Sequence, residues 1–153
     1  MPKEEYPFLL PKNGNDEETG KEVFLLPNKE LSCYELFESA FQARQEGKYA
    51  LAVEKLKLSL AGTADISLKG LIYTELVFLY KEMGKYLEAA GMIQGFISEN
   101  SAALAPALRR QFTLLVEFLQ AVDQLLIKAD QPGIPYSKVP RLIKLRAEKM
   151  LKE

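Results

Sequence analysis

Apolar residues recur at helical spacing from about residue 31 to the end of the chain, and Gly or Pro interrupts this pattern at intervals of roughly one helix. Each interruption marks a helix end, because Gly favours the left-handed backbone that closes a helix and Pro cannot continue one. The sequence therefore predicts an all-α fold of about six helices. Their expected bounds are 33–46, 49 to about 62, the stretch between Asp65 and Gly84, 86–100, a stretch that Ser101 and Pro106 open and that ends near Ala129, and 137–152.

Side chains at several of these boundaries support the prediction. Ser32 and Glu35 have the spacing of a capping box for the first helix, and Asp65 is the expected N-cap of the third. Ser137 is the expected N-cap of the last helix, with Pro140 in its first turn. No Gly interrupts the fifth helix, so we expect that helix to be unusually long.

The last predicted helix combines an apolar side with many basic residues. The residues expected to line its apolar side are Val139, Leu142, Ile143, Arg146 and Met150. We interpret it as a capping helix that covers the end of the helical domain and keeps its basic side in solvent. The alternative is a basic amphipathic helix that binds a membrane surface or an acidic partner.

Residues 1–30 lack the helical pattern, because four prolines and two glycines interrupt them. The sequence Phe-Leu-Leu-Pro occurs twice there, at 8–11 and 24–27. This repeat is a coincidence, a loose hairpin of two strands, or a pair of apolar tags that dock on a groove of this chain or of another. We expect an irregular or flexible N-terminal arm over 1–30 and a single helical domain over 31–153.

Composition argues against several classes of function. The chain contains no His and a single cysteine, Cys33, which rules out a His-based catalytic triad, a His-ligated metal site and an internal disulfide. The lone thiol, with no leader and no long apolar run, favours the cytoplasm and argues against a membrane span. The formal net charge of −1 argues against nucleic-acid binding. We expect no enzymatic activity and no bound metal or cofactor.

A short pattern recurs at a distance of 37 residues. The matching residues are Gly47, Lys48, Tyr49, Ala52 and Leu56 in the first copy and Gly84, Lys85, Tyr86, Ala89 and Ile93 in the second. Each copy joins two predicted helices, and the whole resembles two degenerate units of the tetratricopeptide repeat (TPR) family over about residues 33–100. The Pro that usually ends each unit is missing, and a third complete unit is absent.

The resemblance implies a stack of antiparallel helix pairs, in which the first helix of each pair lines a concave groove. Carried over by position, the groove residues are Tyr34, Phe37, Phe41, Arg44, Leu71, Thr74, Phe78, Lys81, Arg109 and Phe112. Phe41, Phe78 and Phe112 share one register, so we expect a ladder of rings along the groove. In the alternative interpretation, this stripe is ordinary core beneath the last helix.

A groove lined by aromatic rings suits a partner with apolar anchors, either an amphipathic helix or an extended segment. We therefore expect a non-enzymatic adaptor or chaperone-like protein that binds an apolar peptide or helix of a partner protein. The alternative is a structural or self-associating protein, whose groove is filled by its own N-terminal arm, by its C-terminal helix or by a second subunit.

Overall fold

The computed structural model describes the backbone of residues 29–152 and the side-chain surroundings of residues 33–151. This part of the chain contains six α-helices, one short 3-10 turn and no strand, which confirms the predicted all-α fold. The helices are α1 Lys29–Gln45, α2 Tyr49–Ala61, α3 Ile66–Glu82, α4 Tyr86–Asn100, α5 Pro106–Lys128 and α6 Arg141–Lys152. The predicted N-terminal arm lies outside the described residues apart from its last two positions.

The repeated glycines close helices in the same way. Gly47 and Gly84 have φ angles of 79° and 74°, in the left-handed region that only Gly adopts without strain. After α1, the N–H of Lys48 donates a 2.9 Å hydrogen bond to the carbonyl of Ala43, and the corresponding bond after α3 measures 2.8 Å. Both turns are therefore Schellman-type C-caps, and the repeated sequence pattern corresponds to a repeated backbone structure.

The long fifth helix ends in a third turn of this type, built without Gly. Asp130 has a φ of 63°, and the N–H of Gln131 donates a 2.8 Å bond to the carbonyl of Leu126. The prediction that α5 is long and ends near Ala129 is confirmed, because its last helical residue is Lys128. The linker to α6 follows directly from this left-handed residue.

The predicted start of the first helix is wrong. The helix begins at Lys29, so Ser32 and Glu35 lie inside it and cannot form a capping box at its end. The physical reason is propensity: Lys29, Glu30 and Leu31 are all good helix formers, and the helix extends back through them. The capping signal at Asp65 is confirmed, because its carboxylate accepts a hydrogen bond from the backbone two residues later at 3.0 Å.

The last helix also begins later than predicted. Ser137 is not its N-cap; it lies in the 3-10 turn Tyr136–Lys138, and the helix starts at Arg141. Val139 between them has extended backbone, with ψ of 130°. A residue that precedes proline is pushed out of the helical region, so Pro140 separates the turn from the helix.

The chain divides into two compact units, of which the first ends at Ile72 and the second begins at Tyr73, within α3. In the first unit α1 packs against α2, with Ala40 and Ala52 fully buried so that the two helices approach closely. In the second unit α4 packs against α5, and α5 packs against α6. The ring centres of Tyr73 on α3 and Phe96 on α4 lie 4.5 Å apart, which joins these two helices as well.

The buried stripe of α6 differs from the prediction. Leu142, expected on the buried side, is 75% exposed, and Arg146 is also exposed. The prediction counted Val139 in the helical register, although Val139 lies outside the helix. The side chains that turn inward are Ile143 and Ala147, which are four residues apart. Each follows directly after one of the two exposed residues, Leu142 and Arg146.

Candidate binding surface

In the first unit, the predicted groove residues differ in their exposure to solvent. Tyr34 is exposed and Phe37 is buried, with only 4% of its surface accessible. Phe41 is half-buried, and the guanidinium carbon of Arg44 lies 4.5 Å from the centre of its ring, a cation–π contact within one turn of α1. Leu71, near the end of this unit, is half-buried.

In the second unit, the predicted residues of α3 share one side of the helix. Thr74 and Phe78 are four residues apart and Lys81 follows after three more, so the three side chains are neighbours. Phe78 keeps 37% of its surface exposed, whereas the adjacent Leu79 is fully buried. The structure therefore brings Thr74, Phe78 and Lys81 together on α3.

The two predicted groove residues of α5, Arg109 and Phe112, make their contacts with α4 and with the residue that follows it. Phe112 is buried to 7% exposure, and its ring meets that of Phe96 edge-on at 5.6 Å between centres. Arg109 is half-buried, and its guanidinium donates a 2.9 Å hydrogen bond to the carbonyl of Ser101, just after α4. Phe112 therefore belongs to the core of the second unit, where it packs against α4, and the predicted ladder lacks this ring at the surface.

The cation contacts of the second unit converge on a residue outside the predicted set, Tyr136. The Nζ atoms of Lys81 and Lys144 each lie 4.2 Å from the centre of its ring. Phe118 meets the same ring edge-on, with 6.3 Å between the two centres. These neighbours come from α3, α6 and α5, so one tyrosine contacts three helices.

Two contacts fix the linker that carries Tyr136. The carbonyl of Gly133 lies against Gly84 where a side chain would otherwise stand. The hydroxyl of Tyr86 donates a 2.5 Å hydrogen bond to the carbonyl of Ile134. Tyr136 follows two residues later, so the turn after α3 and the start of α4 determine where its ring lies.

Lys81, Lys144 and Tyr136 form a cluster in which two ammonium groups contact one ring. Burial lowers the pKa of the Lys81 ammonium; the negative charge of Glu82 opposes that shift, and the positive charge of Lys144 adds to it. Burial and, less strongly, Glu148 raise the pKa of Tyr136. Among residues 33–151, neither lysine has a carboxylate oxygen within 4.0 Å of its ammonium.

A concave feature of this unit lies between α4 and α5. It is an open cleft of about 510 Å³, whose lining includes Gln94, Gly95, Glu117 and Gln120. The cleft is open partly because Gly95 has no side chain and no atom of the described residues lies within 4 Å of the place where one would begin. Its amides and single carboxylate offer hydrogen bonds, but they do not form a catalytic arrangement such as a nucleophile held against a base.

The part of the chain that the structure describes contains no cluster of His, Cys, Asp and Glu able to hold a metal ion. None of the described helices combines the length and the apolarity needed to cross a bilayer. The chain matches no protein-family model, no curated protein and no solved structure. The TPR resemblance therefore stays a prediction that rests on the repeated residues and on the two glycine turns.

Sequence reasoning found Lys81 but missed Tyr136, Lys144 and Phe118. Tyr136 follows Pro135 in a segment that the sequence marks only as a helix break. An aromatic residue beside proline in a linker is the one local signal that could have drawn attention to it. Its partners Lys81 and Lys144 lie 55 residues before it and 8 residues after it in the sequence. Helical periodicity does not predict contacts between residues in separate elements.

Proposed function

We propose that this chain is a non-enzymatic, cytoplasmic protein–protein interaction module, an adaptor or chaperone-like protein that binds an apolar segment of a partner protein. The binding surface is the side of α3 that carries Thr74, Phe78 and Lys81. The observation that supports it most is the exposure of Phe78, 37% of whose surface is accessible on a helix whose neighbouring apolar residues are buried. An exposed ring of this size is a typical anchor position for a partner.

Two further observations support the proposal. The glycine turns after α1 and α3 have the same backbone structure, as expected for repeated helix pairs of the TPR type. The surface beside Phe78 also carries a lysine, so apolar and charged contacts are available within one helical turn. An apolar anchor flanked by a charge is a common arrangement in helix and peptide recognition.

The experiment replaces Phe78 with Glu and, as a matched control, Leu87 with Glu. Leu87 is an exposed apolar residue of α4 that lies outside the predicted groove set. Each full-length variant is checked for helix content and thermal stability and is then used to isolate binding proteins from cells. We expect Phe78→Glu to reduce specific capture of the partner about tenfold or more, because the apolar contact is lost and an unpaired carboxylate would have to be buried in its place. Unchanged capture by a folded Phe78→Glu variant contradicts the proposal.

A second candidate function, self-association, is favoured by the outward side of α6. Leu142 and Leu145 are 75% and 48% exposed, and a second subunit would cover them. Light scattering over a range of protein concentrations tests this alternative. A dimer that becomes a monomer after Leu142→Glu supports it, whereas a concentration-independent monomer rules it out.

A further inference from the structure

The two lysines at Tyr136 form a pair of like charges that the fold holds together. Both ammonium groups lie 4.2 Å from the same ring centre, so they are at most twice that distance apart. The ring attracts each ammonium through its quadrupole, which stabilises both positions. It supplies no negative charge, and the repulsion between the lysines is not neutralised by any carboxylate within 4.0 Å among residues 33–151.

Two glutamates act on the cluster, one from α3 and one from α6. Glu82 follows Lys81 on α3, and Glu148 lies one turn after Lys144 on α6. Glu82 acts on Lys81 and Glu148 acts on Tyr136 at long range, but neither makes an ion pair with a lysine of the cluster. They moderate the positive potential of the cluster without occupying the hydrogen-bonding positions of its ammonium groups.

Each ammonium retains hydrogen-bonding capacity. A lysine ammonium has three N–H donors, and contact with a ring face does not use all of them. Both lysines and Tyr136 are half-buried, so water screens an incoming charge less than it would on an open surface. An oxygen anion that reaches both ammonium groups would accept charge-assisted bonds and weaken their repulsion.

We propose that Lys81, Lys144 and Tyr136 form an oxyanion-binding site, which takes the side-chain carboxylate of an acidic residue in a bound protein segment. The site is inferred from the geometry of the cluster. That the carboxylate belongs to a bound protein segment depends on the proposed function. Phe78 lies one turn before Lys81 on the same side of α3. The bound segment is therefore expected to carry an acidic residue close to its apolar anchor.

The site is tested on the full-length protein with N-acetylglutamate amide as the probe and N-acetylglutamine amide as its neutral match. Nuclear magnetic resonance of the lysine side chains, at constant ionic strength, reports which lysines respond. We expect the glutamate probe to shift Lys81 and Lys144 saturably and to raise the pKa of Lys81. We expect the glutamine probe to shift neither. The absence of a saturable shift at both lysines overturns the site.

Variants separate the site from general charge effects. We expect Lys144→Met to weaken binding of the glutamate probe about tenfold or more, because a hydrogen bond to a charged group is lost. Lys128→Met removes an exposed lysine at the end of α5 and is expected to change nothing. If Lys144→Met loosens α6, Lys144→Arg keeps the charge and is expected to retain binding. Equal weakening by Lys144→Met and Lys128→Met overturns the site.

A parallel titration with inorganic phosphate identifies the source of the anion. A shift by phosphate together with none by the glutamate probe overturns the assignment to a side-chain carboxylate. The proposed function is judged separately. If the glutamate probe gives a saturable shift but the protein captures no partner through Phe78, the oxyanion site is supported and the proposed protein-binding function is wrong.

Discussion

Gly84 and Gly133 lie so close that the carbonyl group of Gly133 occupies the position of a side chain on Gly84. Gly84 also has a φ of 74°, so two independent constraints act on one residue. This contact joins the turn after α3 to the linker that carries Tyr136. The position of the candidate oxyanion site therefore depends on a glycine in the repeated sequence pattern.

The first prediction compares alanine at the two repeated glycines. Gly47 has the same backbone conformation, with φ of 79°, but no atom of residues 29–152 lies within 4 Å of the position that its Cβ would take. Gly47→Ala is expected to cost up to about 1.5 kcal/mol of unfolding free energy, because ~1–2 kcal/mol of backbone strain is partly offset by the ~0.5–1 kcal/mol of conformational entropy that Gly loses on folding. Gly84→Ala is expected to cost about 1–3 kcal/mol more than Gly47→Ala, because the new methyl group meets a backbone carbonyl. Chemical denaturation of both variants measures the difference, and equal losses would show that the close approach contributes nothing.

A second prediction concerns the left-handed turn after α5. Asp130 has a φ of 63°, which costs a non-Gly residue of order 1–2 kcal/mol. A Gly at this position loses more conformational entropy on folding than Asp does. That loss offsets roughly 0.5–1 kcal/mol of the stability gained by relieving the strain. Asp130→Gly is therefore expected to be neutral or stabilising by up to about 1.5 kcal/mol, and Asp130→Val clearly destabilising. A destabilised Asp130→Gly variant would show that the carboxylate of Asp130 has a role that the backbone does not explain.

Much of the helical fold could be predicted from sequence, because helices depend on local periods and local stop signals. The ends of α4 and α5 follow from residues within one turn of each boundary. The starts of α1 and α6 were mispredicted where two local signals competed. At α1 good helix formers outweighed the capping box, and before Arg141 a proline overrode the expected cap at Ser137.

The candidate site was harder to predict, because its residues come together only in the folded chain. Lys81 was found since it lies on a helix with a recognisable face. Tyr136 contacts it through a linker whose position depends on Gly133 and on the hydroxyl of Tyr86. Burial of Phe112 was also not predictable from register alone, because one helical position can face either a groove or the neighbouring helix.

A third prediction concerns the buried contact between α1 and α2. The hydroxyl of Ser59, which is fully buried, donates a 2.8 Å hydrogen bond to the carbonyl of Cys33. Ser59→Ala is expected to lower the unfolding free energy by about 1 kcal/mol, because a buried hydrogen bond is lost. Ser98→Ala, at an exposed serine of α4, is the control and is expected to change it little. Equal effects of the two substitutions would contradict a stabilising role for the Ser59 bond.

A fourth prediction concerns stability at alkaline pH. Burial, followed by the charges of Glu82, Tyr136 and Asp123, raises the pKa of Tyr86 well above its usual value. The folded chain therefore holds this proton more tightly than the unfolded chain does. The resulting stability is present below pH ~10, the pKa of an unperturbed tyrosine, and is lost as the pH rises from there through the folded pKa.

The fourth prediction is checked by denaturation of the protein and of Tyr86→Phe at neutral and alkaline pH. The variant is expected to lose about 1 kcal/mol at neutral pH with the hydrogen bond to the linker. Its stability is expected to fall less steeply than that of the wild type above pH ~10. Tyr34→Phe, at an exposed tyrosine of α1, serves as the control. Parallel alkaline profiles for wild type and Tyr86→Phe would contradict the assignment.

The central claim, that a partner protein binds the side of α3 that carries Phe78, is tested most directly by site-specific photocrosslinking. The photoreactive residue benzoylphenylalanine is placed at Phe78 in one protein and at Leu87 in another, and both are irradiated in the cell. The account predicts that position 78 forms a covalent adduct with a second protein and that position 87 does not. Equal adducts at both positions, or none at position 78, would contradict it.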